Sequence, residues 1–104
     1  MNWQVYIIRC SDNTLYTGIT TDLQRRFCQH ASGKGAKYFR GRQPLQIVYQ
    51  ESGHTRSSAG RREVAIKGLA RAEKLALISS LANEAGQQEP TSAVLIRLRP
   101  PVAE

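Results

Sequence analysis

Two tyrosines, an arginine, a histidine and one isolated glutamate are the residues of this 104-residue chain whose types and spacing could do chemistry. Tyr6 lies in Val5-Tyr6-Ile7, and Tyr16 opens Tyr16-Thr17-Gly18. Arg26 follows that glycine by eight residues and His30 by twelve, and Glu63 is the only acidic residue between Glu51 and Glu73. A guanidinium offers a fixed fork of donors that suits phosphate oxygens, although Arg26 can equally be an ordinary helix-surface cation. A lone carboxylate such as Glu63 suits one Mg²⁺ (or Mn²⁺), a hard ion that keeps most of its waters. The same residue is spaced for an i,i+4 ion pair with Lys67. A phenol has an ordinary pKa near 10, so Tyr6 or Tyr16 works as a base only where nearby positive charge lowers it. Otherwise the two rings are packing residues at the edge of a core. His30 has an ordinary pKa near neutrality and can relay a proton, or it gains from the dipole at a helix C-terminus.

The elements that must position these groups follow from pattern. Residues 3–10 are rich in β-branched and aromatic side chains, Ser11-Asp12-Asn13 is a turn cluster, and 14–19 read as a second strand. This is a hairpin, and Tyr6 and Tyr16 share a face if its loop is odd in length. Gly18 marks a bend or a close approach. Thr20-Thr21-Asp22 carries N-cap chemistry for a helix that runs to about Ser32. Leu23, Phe27 and Ala31 form its apolar stripe, with Arg26 and His30 flanking it near the sheet and Arg25 and Gln29 turned to solvent. A basic, glycine-rich loop spans Gly33 to Pro44, and 45–49 form a third strand. Ser57-Ser58 caps a helix over about 59–69, and 71–83 continue as a third helix or a kinked extension past Gly68. The order ββαβαα predicts an α+β domain over 1–83, a small antiparallel sheet of about three strands flanked by helices. Residues 84–104 are expected to be a linker and C-terminal tail, with Ala93-Val94-Leu95-Ile96 as an added edge strand or a loose end.

Fifteen Lys and Arg stand against eight Asp and Glu. Thirteen of those basic residues and five of the acidic ones lie in the first 80 positions, so the charge belongs to the folded part. A small basic domain points to a polyanionic partner, most often nucleic acid. In the 33–44 loop Lys34, Lys37, Arg40 and Arg42, interleaved with Tyr38 and Phe39, are suited to pairing with phosphates and stacking on exposed bases. No apolar run approaches a membrane span, and the N-terminus lacks the pattern of a signal peptide, so a cytoplasmic location is expected. Cys10 and Cys28 have no zinc spacing and read as two half-buried reduced thiols. His54, in Gly-His-Thr, has no constellation around it and is assigned no role.

The ordered set Tyr6, Tyr16-Thr17-Gly18, Arg26, His30 and Glu63 resembles the GIY-YIG nuclease family. That family's motif is two short tyrosine-containing strand segments, an arginine on the first helix and a glutamate on a later one. The likeness covers roughly residues 3–80 and is nearest to the small standalone bacterial branch, which has no separate DNA-binding domain. Gln4 stands where the family name has glycine, and Thr17 where it has isoleucine. Both are framework positions, and none of the four chemical groups is missing.

The resemblance implies a Mg²⁺-dependent (or Mn²⁺-dependent) endonuclease or nickase acting on DNA. Hydrolysis of a phosphodiester needs a deprotonated attacker, neutralised phosphoryl oxygens and help for the leaving oxygen. In those terms Tyr6 accepts the proton of water directly or through His30, Glu63 holds the metal, and Arg26 and Tyr16 steady the phosphate. No groove-reading helix remains once the module is accounted for, so recognition is expected to be of shape, in nicked, flapped or branched DNA. The alternatives are a non-catalytic nucleic-acid-binding module on the same fold, and an accessory subunit that docks a protein partner through the 93–96 strand.

Overall fold

The computed structural model describes residues 2–33, 37–39, 41–80 and 83–85. Trp3–Cys10 forms β1, Leu15–Thr20 β2, Leu23–Ala31 α1, Pro44–His54 β3, Arg56–Lys67 α2 and Arg71–Ile78 α3. The order ββαβαα is as the pattern predicts, and the three strands make one antiparallel sheet, β2-β1-β3. The 93–96 segment lies outside the described residues.

β1 is the central strand and is covered on both sides, which is why Val5-Tyr6-Ile7-Ile8 is an unbroken apolar run with no polar alternation. Val5 and Ile7 pack on one face with Tyr49, Ala59 and Ile66, under α2 and α3. Tyr6, Ile8 and Cys10 pack on the other with Leu23 of α1 and with Phe39, from a single 3₁₀ turn at Lys37–Phe39. The hairpin register meets the condition for a shared face: Ile8 faces Tyr16 and Tyr6 faces Gly18, so the two tyrosines lie on the α1 side.

β3 is longer than its expected five residues because three irregularities in its pairing with β1 let it bend without ending. One falls between the pairs Ile7–Tyr49 and Ile8–Ile47; it sends Ile47 to the α1 face while Val48 and Tyr49 pack under α2. Another lies opposite Gln4, where Gly53 takes a φ of +83° that glycine adopts without strain. Its N–H donates to Asn2 Oδ1 at 2.7 Å.

The start of α2 differs from expectation. Thr55, not Ser57, is the N-cap, and Thr55 and Ser58 form a reciprocal capping box, so the helix begins three residues early. α3 ends at Ile78, short of the expected 83, and Asn83 does something else. Its side-chain amide donates to Val48 O and Ile78 O at 2.8 and 2.7 Å, and its carbonyl accepts from Gln50 N at 3.1 Å. Glu84 continues this along β3, accepting from Ser52 N and Oγ at 2.9 and 2.6 Å. Cys10 is fully buried and Cys28 exposed, so neither is the half-buried thiol expected, and both are unpaired.

Gly18 lies beneath the ring of its cross-strand partner. A Cβ at this position would sit 2.5 Å from Tyr6 Oη and 2.7 Å from Tyr6 Cζ, well inside contact distance of a ring that is itself buried. Gly18→Ala should therefore cost about 1–3 kcal/mol, the usual toll of overpacking. Urea unfolding measures it, and wild-type stability in the variant would mean that the Tyr6 ring can move freely.

Candidate active site

The site is built where β1, β2 and α1 meet. Tyr6 and His30 are each about 1% exposed, and Tyr6 Oη lies 2.9 Å from His30 Nε2. The ring centroids of Tyr16 and His30 are 5.3 Å apart, and those of Tyr6 and Tyr16 6.3 Å. Phe39 closes the cluster, 4.2 Å from His30 and 4.8 Å from Tyr16 by centroid. Phe39 is thus a wall of the site and not a platform for bases, because it is buried against these rings.

α1 positions its part through its cap. Asp22 Oδ1 accepts from Arg25 N at 3.1 Å and starts the helix as the sequence predicts. Leu23 is buried, Arg26 sits half-buried one turn before His30, and Arg25 is exposed. Gln29 is not turned to solvent as expected: it is half-buried, and its Oε1 accepts from Arg26 Nη1 at 3.0 Å. The i,i+3 spacing of Arg26 and Gln29 carried that signal.

Protonation in the site is set by burial. Burial pushes the Tyr6 phenol up to about 12, Tyr16 adds to the rise, and the Arg26 charge opposes it without reversing it. Burial also lowers His30 to about 4, and the Arg26 charge adds to the fall. A positive neighbour therefore does not make Tyr6 acidic, and His30 does not titrate near neutrality. At neutral pH both are uncharged, so Tyr6 donates to Nε2 and the imidazole proton sits on Nδ1. Nδ1 is buried and has no partner among the described residues.

Glu63 approaches from the other side of the sheet. α2 crosses β1 and β2, and Glu63 lies near enough for its charge to act on the Tyr6 phenol. Its Oε2 pairs with Lys67 Nζ at 3.1 Å, so the ion pair allowed by the sequence does form. The carboxylate remains 22% exposed, and no group of three His, Cys, Asp or Glu side chains able to hold a metal occurs among the described residues. This donor set does not suit zinc but fits one hard, mostly hydrated cation completed by substrate oxygens.

Of the basic loop, Lys37 is exposed and Arg42 Nε pairs with Asp12 Oδ2 at 2.6 Å, tying the loop to the hairpin turn. Lys34, Arg40 and the side chain of Tyr38 lie outside the described residues.

His54 has the constellation that the sequence hid. Its Nε2 lies 2.7 Å from Glu51 Oε1 and its Nδ1 2.8 Å from Ser58 Oγ. Tyr49 Oη donates to Glu51 Oε2 at 2.6 Å, and Arg62 Nε reaches both carboxylate oxygens at 3.1 and 3.2 Å. Burial raises the Glu51 pKa, but these donors and the Arg62 charge outweigh it and hold the carboxyl below its ordinary value. In an unbroken strand His54 would point away from Tyr49 and Glu51; the bulge at Gly53 turns it to their side.

A family model, the GIY-YIG catalytic domain, matches residues 2–76, nearly all of this sheet and its helices. The chain belongs to the GIY-YIG family. This GIY-YIG chain is 56% identical over 73 residues to a UPF0213 protein of Halobacterium salinarum, covering 70% of the chain and 95% of the relative. A UPF0213 protein of Cronobacter sakazakii is 49% identical over 89 residues, 85% of the chain and 94% of the relative. Two solution NMR structures share the fold. The UPF0213 protein BH0048 of Bacillus halodurans is 46% identical with a TM-score of 0.51, over 79% of this chain and 87% of that one. The protein EF2693 of E. faecalis is 36% identical with a TM-score of 0.55, over 76% and 84%. No helix among the described residues is long and apolar enough to cross a membrane.

The depressed His30 pKa has a consequence for stability. As pH falls below 6.5 the unfolded chain binds a proton at this residue before the folded one does. Stability from His30 is thus complete above about 6.5 and declines down to about 4, by at most about 3 kcal/mol. Urea unfolding at pH 7 and pH 4.5 should show a smaller acid loss in His30→Gln than in wild type. Equal losses would mean that His30 protonates without penalty in the fold.

Proposed function

We propose that this protein is a metal-dependent endonuclease or nickase that hydrolyses DNA phosphodiester bonds, selecting by structure more than by sequence. The observation that carries the reading is the buried Tyr6–His30 hydrogen bond beside Arg26, with Glu63 acting on the same phenol. An uncharged tyrosine is a poor base alone, but it can hand its own proton to His30 Nε2 as it takes one from water. One proton enters the phenol and one leaves it, so no free tyrosinate forms in the buried pocket. The imidazolium that results is unfavourable beside Arg26, and negative charge arriving on the phosphoryl oxygens offsets both.

Arg26 offers its fork to the scissile phosphate, and Gln29 holds that fork in place. Tyr16, on the same face as Tyr6, orients the phosphate or the water. Glu63 would hold one Mg²⁺ or Mn²⁺ through its exposed oxygen. When bound, such an ion neutralises charge on the phosphoryl and leaving oxygens. Lys34, Lys37, Tyr38, Arg40 and Arg42 are by residue type the stretch of chain suited to bind the DNA backbone. Arg42 contributes by trading its Asp12 contact for a phosphate.

Supercoiled, linear and branched DNA incubated with Mg²⁺ or EDTA provides the test. Glu63→Ala should abolish metal-dependent cleavage and retain binding; cleavage persisting in that variant would remove Glu63 from metal binding. Arg26→Lys should lose at least about 100-fold in turnover with affinity changed by no more than about threefold. Tyr6→Phe keeps the ring and should lose about 100-fold or more. Near-normal cleavage by Tyr6→Phe would leave the phenol a packing group.

A further inference from the structure

Beyond the loop and the catalytic cluster, one groove joins an apolar wall to a cationic one. It runs beside the β2 edge of the sheet, between the start of β1 and α1, with a volume of about 340 Å³. Trp3 and Ile19 supply its apolar lining, and Arg25, Arg26, Gln29 and Thr20 its polar lining. The Arg56 guanidinium lies over the Trp3 ring, 5.7 Å from its centre, so a further positive charge stands beside that residue. The one carboxylate there, Asp22, already accepts the Arg25 N–H as helix cap. A neighbouring cleft of about 360 Å³, around Gln4, Gln24 and Gln50, has neither a cation nor an aromatic ring in its lining.

We propose that this groove is the subsite for one unpaired nucleotide of the DNA strand next to the cleaved phosphodiester, a proposal that rests on the nuclease reading above. The apolar wall matches the faces of a base and sugar, and the arginines match its phosphate. Arg26 belongs to both the groove and the catalytic cluster, so a nucleotide held here is adjacent to the phosphate held there. Trp3 precedes Tyr6 by three positions on β1, about 10 Å along the strand. The volume is at the low end for a ligand cleft and admits one nucleotide, not a base pair. A nucleotide must therefore leave the duplex to enter, which gives the enzyme its preference for ends, flaps or bulges. Trp3 and the Arg42–Asp12 pair lie towards opposite ends of β1, so the strand crosses the site with a contact on each flank.

Trp3 is the only tryptophan in the chain, so its emission reports on the groove alone. The full chain is titrated in EDTA with short oligothymidylate and with a blunt hairpin duplex, and binding is followed in parallel by anisotropy. The single strand should quench Trp3 to saturation, while bound duplex should not. Arg25→Ala should weaken single-strand binding by about 3- to 10-fold and flatten the slope of log affinity against log salt by about 0.7. Arg71→Ala, on α3 by the far edge strand β3, should change neither. Trp3→Ala should cost about 5- to 100-fold, and Trp3→Phe much less. Because Arg25 is exposed, its variant reports on binding even if the Trp3 variants fold poorly.

Unchanged Trp3 emission at saturation, or wild-type affinity and salt slope in Arg25→Ala, overturns the subsite. Glu63-dependent cleavage persisting in the same preparations would show that the nuclease reading survives that loss. Quenching and an Arg25 effect without metal-dependent cleavage of any substrate would sink the nuclease reading and the adjacency proposed here.

Discussion

The tertiary arrangement turns on burying one phenol. Tyr6 stands on the central strand with both faces of the sheet covered, so its hydroxyl is largely withdrawn from bulk solvent and finds a partner inside. His30 supplies that partner from α1, and the hydrogen bond ties the helix to the sheet at one rotation and one height. The rest of the site follows. Gly18 has no side chain because the ring lies across it, and Phe39 fills the space left over the imidazole. The burial that fixes the geometry also fixes the protonation, holding phenol and imidazole uncharged at neutral pH.

A second polar cluster on the opposite face does for α2 what the Tyr6–His30 bond does for α1. Glu51 is a partly buried carboxylate whose charge is matched by Arg62 and by hydrogen bonds with Tyr49 and His54. Breaking such a set leaves an uncompensated charge, so Arg62 is strongly bound to β3. A helix turns about 100° per residue, so fixing Arg62 also fixes the direction in which Glu63 leaves the helix. In this way a network anchored on β3 helps to aim the carboxylate whose charge acts on Tyr6. The irregularities in β3 make this possible, because each changes which face the following residues occupy.

Much of this was legible in the chain. The β-branched and aromatic run of residues 3–10 announced a strand, and Thr20-Thr21-Asp22 announced the start of α1. The spacing of Tyr6, Tyr16, Arg26, His30 and Glu63 was enough to single those residues out together. What was misread has a physical pattern. Ser57-Ser58 looked like a cap because hydroxyls can cap, yet Thr55 wins through the reciprocal bonds it makes with Ser58. Gln29 was assigned to solvent because a helical wheel shows an angle and not a partner. Phe39 was read as exposed because a basic, glycine-rich loop gives no periodicity from which to infer burial.

By itself the sequence determined the element order, the face shared by the two tyrosines once the hairpin register was set, and the inventory of chemical groups. These depend on local rules, the alternation of a strand, the turn of a helix and the preferences of caps. Tertiary structure decided the protonation of Tyr6 and His30, the side of the sheet that His54 joins, and the grouping of Trp3 with Arg25 and Arg26 around one groove. Each of these depends on which distant segments exclude water from one another. That is a property of packed surfaces, and no spacing along the chain encodes it directly.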